Sequence, residues 1–235
     1  ATIDAAGVAS YSFYTKDTAD WGWTPDELPD LNAVSSLNTQ AIQYGCLGMA
    51  IGPGNLVIEA WLKEFFDKDL LTLSHDLNIR PALGFDRKAE LERVLRVNGQ
   101  SHIIKASDAD IEWLYGLEPG TELDEIAAEW SKGKLVVVTK GPDGVSLYRD
   151  GVRLDAPGQK VNLVDTVGAG DTFMANFLGE LRLLDALGDN PLSRLSRLSD
   201  QELAQAALTA NAAAAIVCER QGCQPPTLSE VRARK

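Results

Sequence analysis

Asp171 and the three small residues before it, Gly168, Ala169 and Gly170, form the segment whose spacing most clearly points to chemistry. An apolar run precedes these residues, and a helical stripe of apolar side chains follows them. Free N–H groups at a helix start bind anions, and small residues let a phosphate approach the backbone. The helix dipole also keeps a carboxylate in the first turn ionised, so Asp171 can accept a proton. The segment therefore predicts phosphoryl transfer to a hydroxyl, with residues 168–170 as the anion hole and Asp171 as the base.

Two better-known glycine motifs do not match this segment. A Walker loop has Gly-Lys followed by Ser or Thr, whereas Asp171 and Thr172 occupy that place here. A dinucleotide-binding fingerprint has a third glycine, whereas Phe173 occupies that place. A purely structural role for Asp171, as a capping residue, is an alternative to catalysis, because spacing alone does not separate the two.

The elements that must position this segment alternate between strand and helix from about residue 40. Apolar runs predict strands at 41–47, at 70–74, from 103, at 135–138 and at 161–164, and a hairpin at 145–154. Apolar positions at helical spacing predict helices at 55–66, 87–97, 107–115, 121–130, from about 169 to 184, and 199–217, with caps at Ser107, Thr121 and Ser199. This alternation predicts an α/β fold with a doubly wound, mostly parallel sheet flanked by helices. Ligands of such sheets bind beyond the carboxyl ends of the strands.

Composition excludes several other classes of function. The 235 residues carry 34 acidic and 22 basic side chains, a formal net charge of −12, which disfavours a nucleic-acid partner. No apolar run approaches the length of a membrane span, so no membrane partner is expected. The chain has only three cysteines, an odd number, so no disulfide framework is implied. A reducing compartment is therefore expected. His75 and His102 each stand beside a strand-like run without a second ligand, which favours structural roles over metal binding.

Residues 165–173, Asp-Thr-Val-Gly-Ala-Gly-Asp-Thr-Phe, resemble the C-terminal signature of the ribokinase-type (PfkB) carbohydrate kinases. Four further segments agree with that family in order and spacing: 76–81, 105–110, 138–144 and 220–225. Leu77 stands where the family usually has Pro. Ser107 stands where the family has Asn, and the fructokinase-like branch often carries Ser at that position. The resemblance covers essentially the whole chain and is closest to bacterial fructokinase-like members.

The resemblance implies an ATP-dependent kinase that transfers the γ-phosphate to a sugar hydroxyl, with Asp171 as base and substrate contact. It assigns the nucleotide to Thr139, Gly141, Gly144 and Asn211, and Mg²⁺-ATP, through water, to Ser107 and Asp110. It assigns the substrate to Asn78 and Arg80. Three of these assignments have structural alternatives. Asn211 is equally an ordinary polar residue on a helix, Ser107 and Asp110 are equally a capping box, and Arg80 could simply pair with Asp76.

The resemblance also implies a monovalent cation such as K⁺. Its ligands would be Asp165 and the carbonyls of Val167, Val217, Arg220 and Gly222. Pro226 lacks the hydroxyl that some such sites use.

For the whole protein, the resemblance implies a ribokinase-like fold, with residues 1–20 as part of a small β lid and 21–235 as the nucleotide-binding and catalytic core. The family's first-strand Asp and its Gly-Gly-x-x-x-Asn segment do not occur, so the chain is expected to lack an N-terminal portion. Fructose or a similar ketose is the expected substrate. Alternatives are ribose, 2-keto-3-deoxygluconate or a nucleoside, or a non-catalytic fragment that binds nucleotide or sugar. A cytoplasmic homodimer is expected.

Overall fold

A six-stranded sheet forms the centre of the fold in the computed structural model, which describes residues 2–3, 9–10, 14–16 and 18–234. The strands, in chain order, are β1 (Thr2–Ile3), β2 (Ala9–Ser10), β3 (Ala41–Gly45), β4 (Thr72–Asp76), β5 (Ile103–Ser107), β6 (Leu135–Thr139), β7 (Val145–Arg149) and β8 (Val152–Ala156). The central sheet has the spatial order β3-β4-β5-β6-β7-β8. Strands β3 to β6 run parallel, and β7 and β8 pair antiparallel at one edge. The mostly parallel sheet is therefore confirmed.

Helices cover both faces of this sheet. They are α1 (Leu31–Ser36), α2 (Cys46–Ala50), α3 (Gly54–Phe66), α4 (Arg87–Asn98), α5 (Asp108–Tyr115), α6 (Asp124–Trp130), α7 (Ala169–Leu183), α8 (Pro191–Ser196), α9 (Asp200–Cys218) and α10 (Leu228–Arg234). None of the helices in the described ranges is long and apolar enough to cross a membrane.

The alternation of side chains along β6 shows why the sheet is buried on both faces. Leu135 and Val137 point into a core that contains Phe173 and Phe177 of α7 and the small alanines of α9. The neighbouring valines of the strand point into the opposite core, which α4, α5 and α6 cover. Because successive strand residues face opposite sides, a continuous β-branched run requires apolar cover on both. The sheet, with helices packed on both faces, therefore has the predicted doubly wound architecture.

Local signals placed several element ends correctly. Ser107 caps α5 by accepting a hydrogen bond from the Asp110 N–H (3.1 Å), and Ser199 caps α9 by accepting one from the Glu202 N–H (3.3 Å). Asp150 and Gly151, at the tight turn between β7 and β8, have the positive φ angles that such a turn requires (50° and 81°).

Two predictions about local structure were wrong. Helix α6 begins at Asp124 rather than at 121, because the Thr121 hydroxyl donates to the Glu118 carbonyl (2.6 Å) instead of capping the helix. Residues 161–164 form no strand; the N–H groups of Val164 and Asp165 donate to the Cys218 carbonyl at the end of α9. This segment is thus held by a helix terminus rather than by the sheet.

The predicted part of a β lid, residues 1–20, is described only in part. Strands β1 and β2 pair antiparallel, with Thr2 opposite Ser10 and Ile3 opposite Ala9. The turn between them lies outside the described residues, as do 11–13. The division into a partial lid and a core therefore stays a prediction.

Candidate active site

The carboxyl ends of the parallel strands meet at one edge of the sheet, and the residues predicted to do chemistry lie there. Strands β3, β4, β5 and β6 end at Gly45, Asp76, Ser107 and Thr139. Helix α7 begins at the same edge, where a β-carbon placed on Gly170 would lie 3.1 Å from the side-chain nitrogen of Lys105 in β5. A ligand bound at this edge would therefore contact several strand ends and one helix start.

The start of α7 has the geometry of an anion site. Gly168 precedes the helix in a left-handed conformation (φ 79°), and its N-cap position offers no side chain to the first turn. The Ala169 N–H donates to Thr166, and the Thr172 N–H donates to Gly168. Within the described part of the chain, the N–H groups of Gly170 and Asp171 make no hydrogen bond. Two free donors, with the helix dipole behind them, favour a bound anion.

Asp171 lies in the first turn of α7 with an exposed side chain. It makes no side-chain hydrogen bond to another described residue, so it does not cap its own helix. Its position next to the free N–H groups allows it to face a reactant bound there. The structure thus favours a chemical role for Asp171 over the capping alternative.

A cavity of about 330 Å³ opens beside this helix start. All four residues assigned to the nucleotide line it together with two of the anion-hole residues: Thr139, Gly141, Gly144, Asn211, Ala169 and Gly170. Apolar residues that sequence reasoning missed complete the lining, among them Val161, Leu163 and Phe173. A flat, partly apolar ring can bind against such side chains while its phosphates reach the helix start.

The second glycine after β6, Gly144, brings backbone against backbone. A β-carbon on Gly144 would lie 2.3 Å from both the Ala156 carbonyl oxygen and the Gly158 nitrogen, so only glycine fits. Asn211 in α9 is buried, and its amide nitrogen donates to the carbonyls of Ala156 (3.3 Å) and Pro157 (2.9 Å). Asn211 therefore fixes the wall of the cavity that it lines.

Ser107 and Asp110 form the capping box that the sequence left open. One carboxylate oxygen of Asp110 accepts from the Ser107 N–H and the other from the Ile79 N–H, both at 2.8 Å. Asp110 thereby ties the 76–81 turn to α5. Because both oxygens are engaged, the pair would hold Mg²⁺ on a nucleotide only through water molecules.

The turn at 76–81 does not contain the ion pair between Arg80 and Asp76 that the sequence allowed as an alternative. Asp76 does not pair with Arg80; its carboxylate pairs with the Lys105 ammonium at 2.9 Å. Arg80 donates to the neighbouring Ile79 carbonyl (3.2 Å), and Asn78 has a left-handed backbone (φ 42°). Both side chains belong to the carboxyl edge and stay predicted substrate contacts.

The Asp76–Lys105 pair is the main feature that sequence reasoning missed. Asp76 is 5% exposed and Lys105 is 4% exposed. Burial raises the pKa of Asp76, Lys105 opposes that shift, and the nearby carboxylates Asp110 and Asp171 add to it. Burial likewise raises the pKa of the Cys46 thiol, which lies near Asp76 and Asp171. In the sequence, the only sign of this ion pair is that two opposite charges lie near the ends of successive predicted strands.

The residues assigned to a monovalent cation lie in the segment before α7 and at or just beyond the end of α9, and these two regions contact each other. The Asp165 carboxylate accepts from the N–H groups of Val167 (3.0 Å) and Gly222 (2.9 Å), and these donors lower its pKa. The carbonyls of Val217 and Gly222 accept from Arg220 and Gln224. Hydrogen bonds thus hold this donor set together, and the cation stays a prediction.

The doubly wound sheet, with a helix start suited to an anion and a carboxylate at its carboxyl edge, is a ribokinase-like fold. The sequence model of the pfkB family carbohydrate kinases matches residues 2–230, and the chain belongs to this family.

Curated relatives agree with this assignment, and solved structures share the fold. A fructokinase from Rhizobium leguminosarum bv. trifolii is 35% identical over 84% of this chain, and fructokinase-1 from Oryza sativa subsp. japonica is 31% identical over all of it. The fold is similar to that of an ATP-bound fructokinase from Xylella fastidiosa (TM-score 0.82, 20% identity, 99% of this chain and 71% of that one). It is also similar to a Vibrio cholerae fructokinase with fructose, ADP and calcium bound (TM-score 0.77, 20% identity, 98% of this chain and 71% of that one). The chain spans 57% of the length of the Rhizobium protein and 68% of the rice protein.

Proposed function

We propose that this chain carries the nucleotide-binding and catalytic part of an ATP-dependent sugar kinase, with fructose as the substrate to test first. The observation that carries the proposal is the single cavity that joins Thr139, Gly141 and Asn211 to the start of α7. Relatives named fructokinases, one of them solved with fructose and ADP, support the choice of sugar. A structure solved with ATP supports the choice of nucleotide.

In the proposed reaction, the adenine nucleotide binds in the 330 Å³ cavity with its γ-phosphate at the helix start. Asp171 accepts the proton of the sugar hydroxyl, the hydroxyl oxygen bonds to phosphorus, and the bond to ADP breaks with its electron pair leaving on ADP. The free N–H groups of Gly170 and Asp171 stabilise the charge on the transferring group. Mg²⁺ on the nucleotide would neutralise phosphate charge, and Ser107 and Asp110 would hold it through water.

Contacts of the neighbouring residues hold these N–H groups in place. Gly168 packs against Cys223, and Thr172 donates back to Gly168 (2.8 Å). Donors fixed in advance need no reorganisation when charge develops, which is why they lower the barrier.

Replacement of the base tests the proposal. Asp171→Asn keeps the size of the side chain and removes its basicity, so kcat for sugar-dependent ADP release should fall by roughly 10²- to 10⁴-fold. ATP affinity, measured by calorimetry, should change by less than about threefold because the free N–H groups remain. Glu180→Gln, farther along α7, is the matched control and should leave both values unchanged. An Asp171→Asn protein with the wild-type rate would contradict the proposal.

A separate experiment determines which sugar is the substrate. Fructose, ribose, a nucleoside and 2-keto-3-deoxygluconate should be compared at saturating ATP, with fructose giving the highest kcat/KM. Arg80→Ala should then leave fructose turnover within a few-fold. Selective loss of turnover on the sugar acid would show instead that Arg80 binds a carboxylate and that the acid is the substrate. ATP binding without turnover on any of these sugars would favour a non-catalytic binding role.

A further inference from the structure

The ammonium group of Lys105 lies beneath the first turn of α7. A β-carbon placed on Gly170 would lie 3.1 Å from Lys105 Nζ, so the missing side chain of Gly170 leaves the space that the ammonium occupies. Lys105 is also the register partner of Asp76 across β4 and β5, and the two side chains are joined by a 2.9 Å hydrogen bond. The pair therefore has a fixed place at the carboxyl edge.

Stability alone does not account for this arrangement. Burial of an ion pair removes two charges from water, and apolar residues of similar volume are often as stable or more so. The start of a helix carries partial positive charge, so a second positive charge beside it is unfavourable. Asp76 balances the ammonium and Asp171 lies in the first turn, yet the N–H groups of Gly170 and Asp171 have no acceptor among the described residues. A bound anion would accept from these N–H groups and from the ammonium.

We propose that Lys105 is a further catalytic residue, whose ammonium donates to the transferring phosphoryl group while the N–H groups of Gly170 and Asp171 donate from the helix. This inference rests on the proposed function. Asp76 acts as a positioning residue that holds the ammonium toward Gly170. Lys105 neither gains nor loses a proton: the hydroxyl proton goes to Asp171, the new bond forms between the sugar oxygen and phosphorus, and ADP leaves with the electron pair of the broken bond.

The contact predicts a preference for ATP over ADP that depends on Lys105, because only ATP carries the γ-phosphate. In Lys105→Met, ATP affinity measured by calorimetry should fall about 10- to 100-fold, whereas ADP affinity should stay within about threefold. Sugar-dependent kcat should fall at least as much as ATP affinity does. Lys105→Arg keeps the charge and should retain part of the preference for ATP. Lys134→Met, at the opposite end of the sheet, removes a half-buried lysine that donates to Ser101 (2.6 Å) and should leave the preference unchanged.

The double variant Asp76→Asn/Lys105→Met removes both charges, so it avoids an unpaired buried carboxylate if the single variant unfolds. It should melt like the wild type and still lose the preference for ATP. An equal loss of ATP and ADP affinity, or a lower melting temperature with the preference intact, would assign Lys105 a structural role and overturn the inference. The affinity ratio requires no turnover. A wild-type protein that binds ATP but phosphorylates no sugar would therefore contradict the proposed function and leave this test valid.

Discussion

Asp171 and Asp76 are two carboxylates of one site in opposite environments. Asp171 is exposed and makes no side-chain hydrogen bond to another described residue, whereas Asp76 is buried and bound to Lys105. An exposed carboxylate without a partner can contact a bound reactant, while a buried one paired with an ammonium fixes the position of that cation. The same residue type thus suits two tasks because of what surrounds it.

Gly168 supports this site through its backbone. Its φ of 79° lies in the region that favours glycine, and a β-carbon there would lie 2.3 Å from Cys223 Sγ. Gly168→Ala should lower the free energy of unfolding by about 2 to 3 kcal/mol, because the strained backbone and the steric clash add. It should also reduce kcat about tenfold, since the N–H groups that follow would shift. Urea denaturation and the ADP-release assay measure the two effects.

The chain offers a matched control in the same helix. A β-carbon on Gly179 would meet no atom within 4 Å, so Gly179→Ala should raise the free energy of unfolding by about 0.5 to 1 kcal/mol. Adding Cys223→Ala to Gly168→Ala should recover only part of the loss, because the Cys223 β-carbon would still lie 3.2 Å away. If Gly168→Ala were as stable as the wild type, the clash would be absent in solution.

At the scale of elements, α10 braces the nucleotide cavity from behind. The guanidinium of Arg234 donates to Gln159 Oε1 (2.8 Å), to the Lys160 carbonyl (3.0 Å) and to both carboxylate oxygens of Glu219. Gln159 lines the cavity, and Glu219 in turn accepts from the Asn162 N–H (3.2 Å). One side chain thus connects the irregular segment at 158–162 to the end of α9.

Removal of this brace should weaken nucleotide binding without changing the chemistry. Arg234→Ala should raise the KM for ATP about three- to tenfold and leave kcat within about twofold, because the cavity wall loosens while the start of α7 is untouched. Arg234→Lys should recover little, since a single ammonium cannot replace a planar fork with several partners. Arg232→Ala, an exposed arginine of the same helix, is the control. A fall in kcat with an unchanged KM would contradict the brace.

The sequence predicts an element well when the residues that determine it are close together along the chain. The caps at Ser107 and Ser199 and the turn at 150–151 are set by residues within a few positions of one another, so the sequence predicted them. Residues 161–164 are apolar and β-branched in part, which predicts a strand, but the Val164 N–H donates to the Cys218 carbonyl at the end of α9, more than fifty residues further along the chain. Pairing across such a distance leaves no local signal.

The candidate site divides in the same way. The anion hole and Asp171 lie within four consecutive residues, and their chemistry could be read from spacing. Lys105 and Asp76 are 29 positions apart and meet only because β4 and β5 are neighbours in the sheet. An alternation of strands and helices predicts a sheet but not which charges it brings together, so the ion pair required the structure.

At the scale of the whole molecule, two buried histidines link stability to pH. His75 accepts or donates a hydrogen bond at Nδ1 with Asn98 (2.8 Å), and His102 Nδ1 accepts from the Leu73 N–H (2.9 Å). Their other ring nitrogens have no hydrogen-bond partner among the described residues. Burial lowers the pKa of His75 to about 3 and that of His102 to about 4, so both rings are neutral in the folded protein.

These two pKa values determine whether acidification stabilises or destabilises the folded protein. An unfolded histidine takes up a proton below about pH 6.5, and the folded ones do not until pH 4 or below, so acidification favours the unfolded chain. The free energy of unfolding should fall by about 3 kcal/mol between roughly pH 7.5 and pH 5.5, about half from each ring. Urea denaturation across this range measures it. In His102→Gln the fall should be about half as large, and the comparison with wild type cancels the contribution of carboxylates such as Asp76. Parallel curves for wild type and variant would show that His102 titrates normally in the folded state, which would contradict its burial beside Phe66.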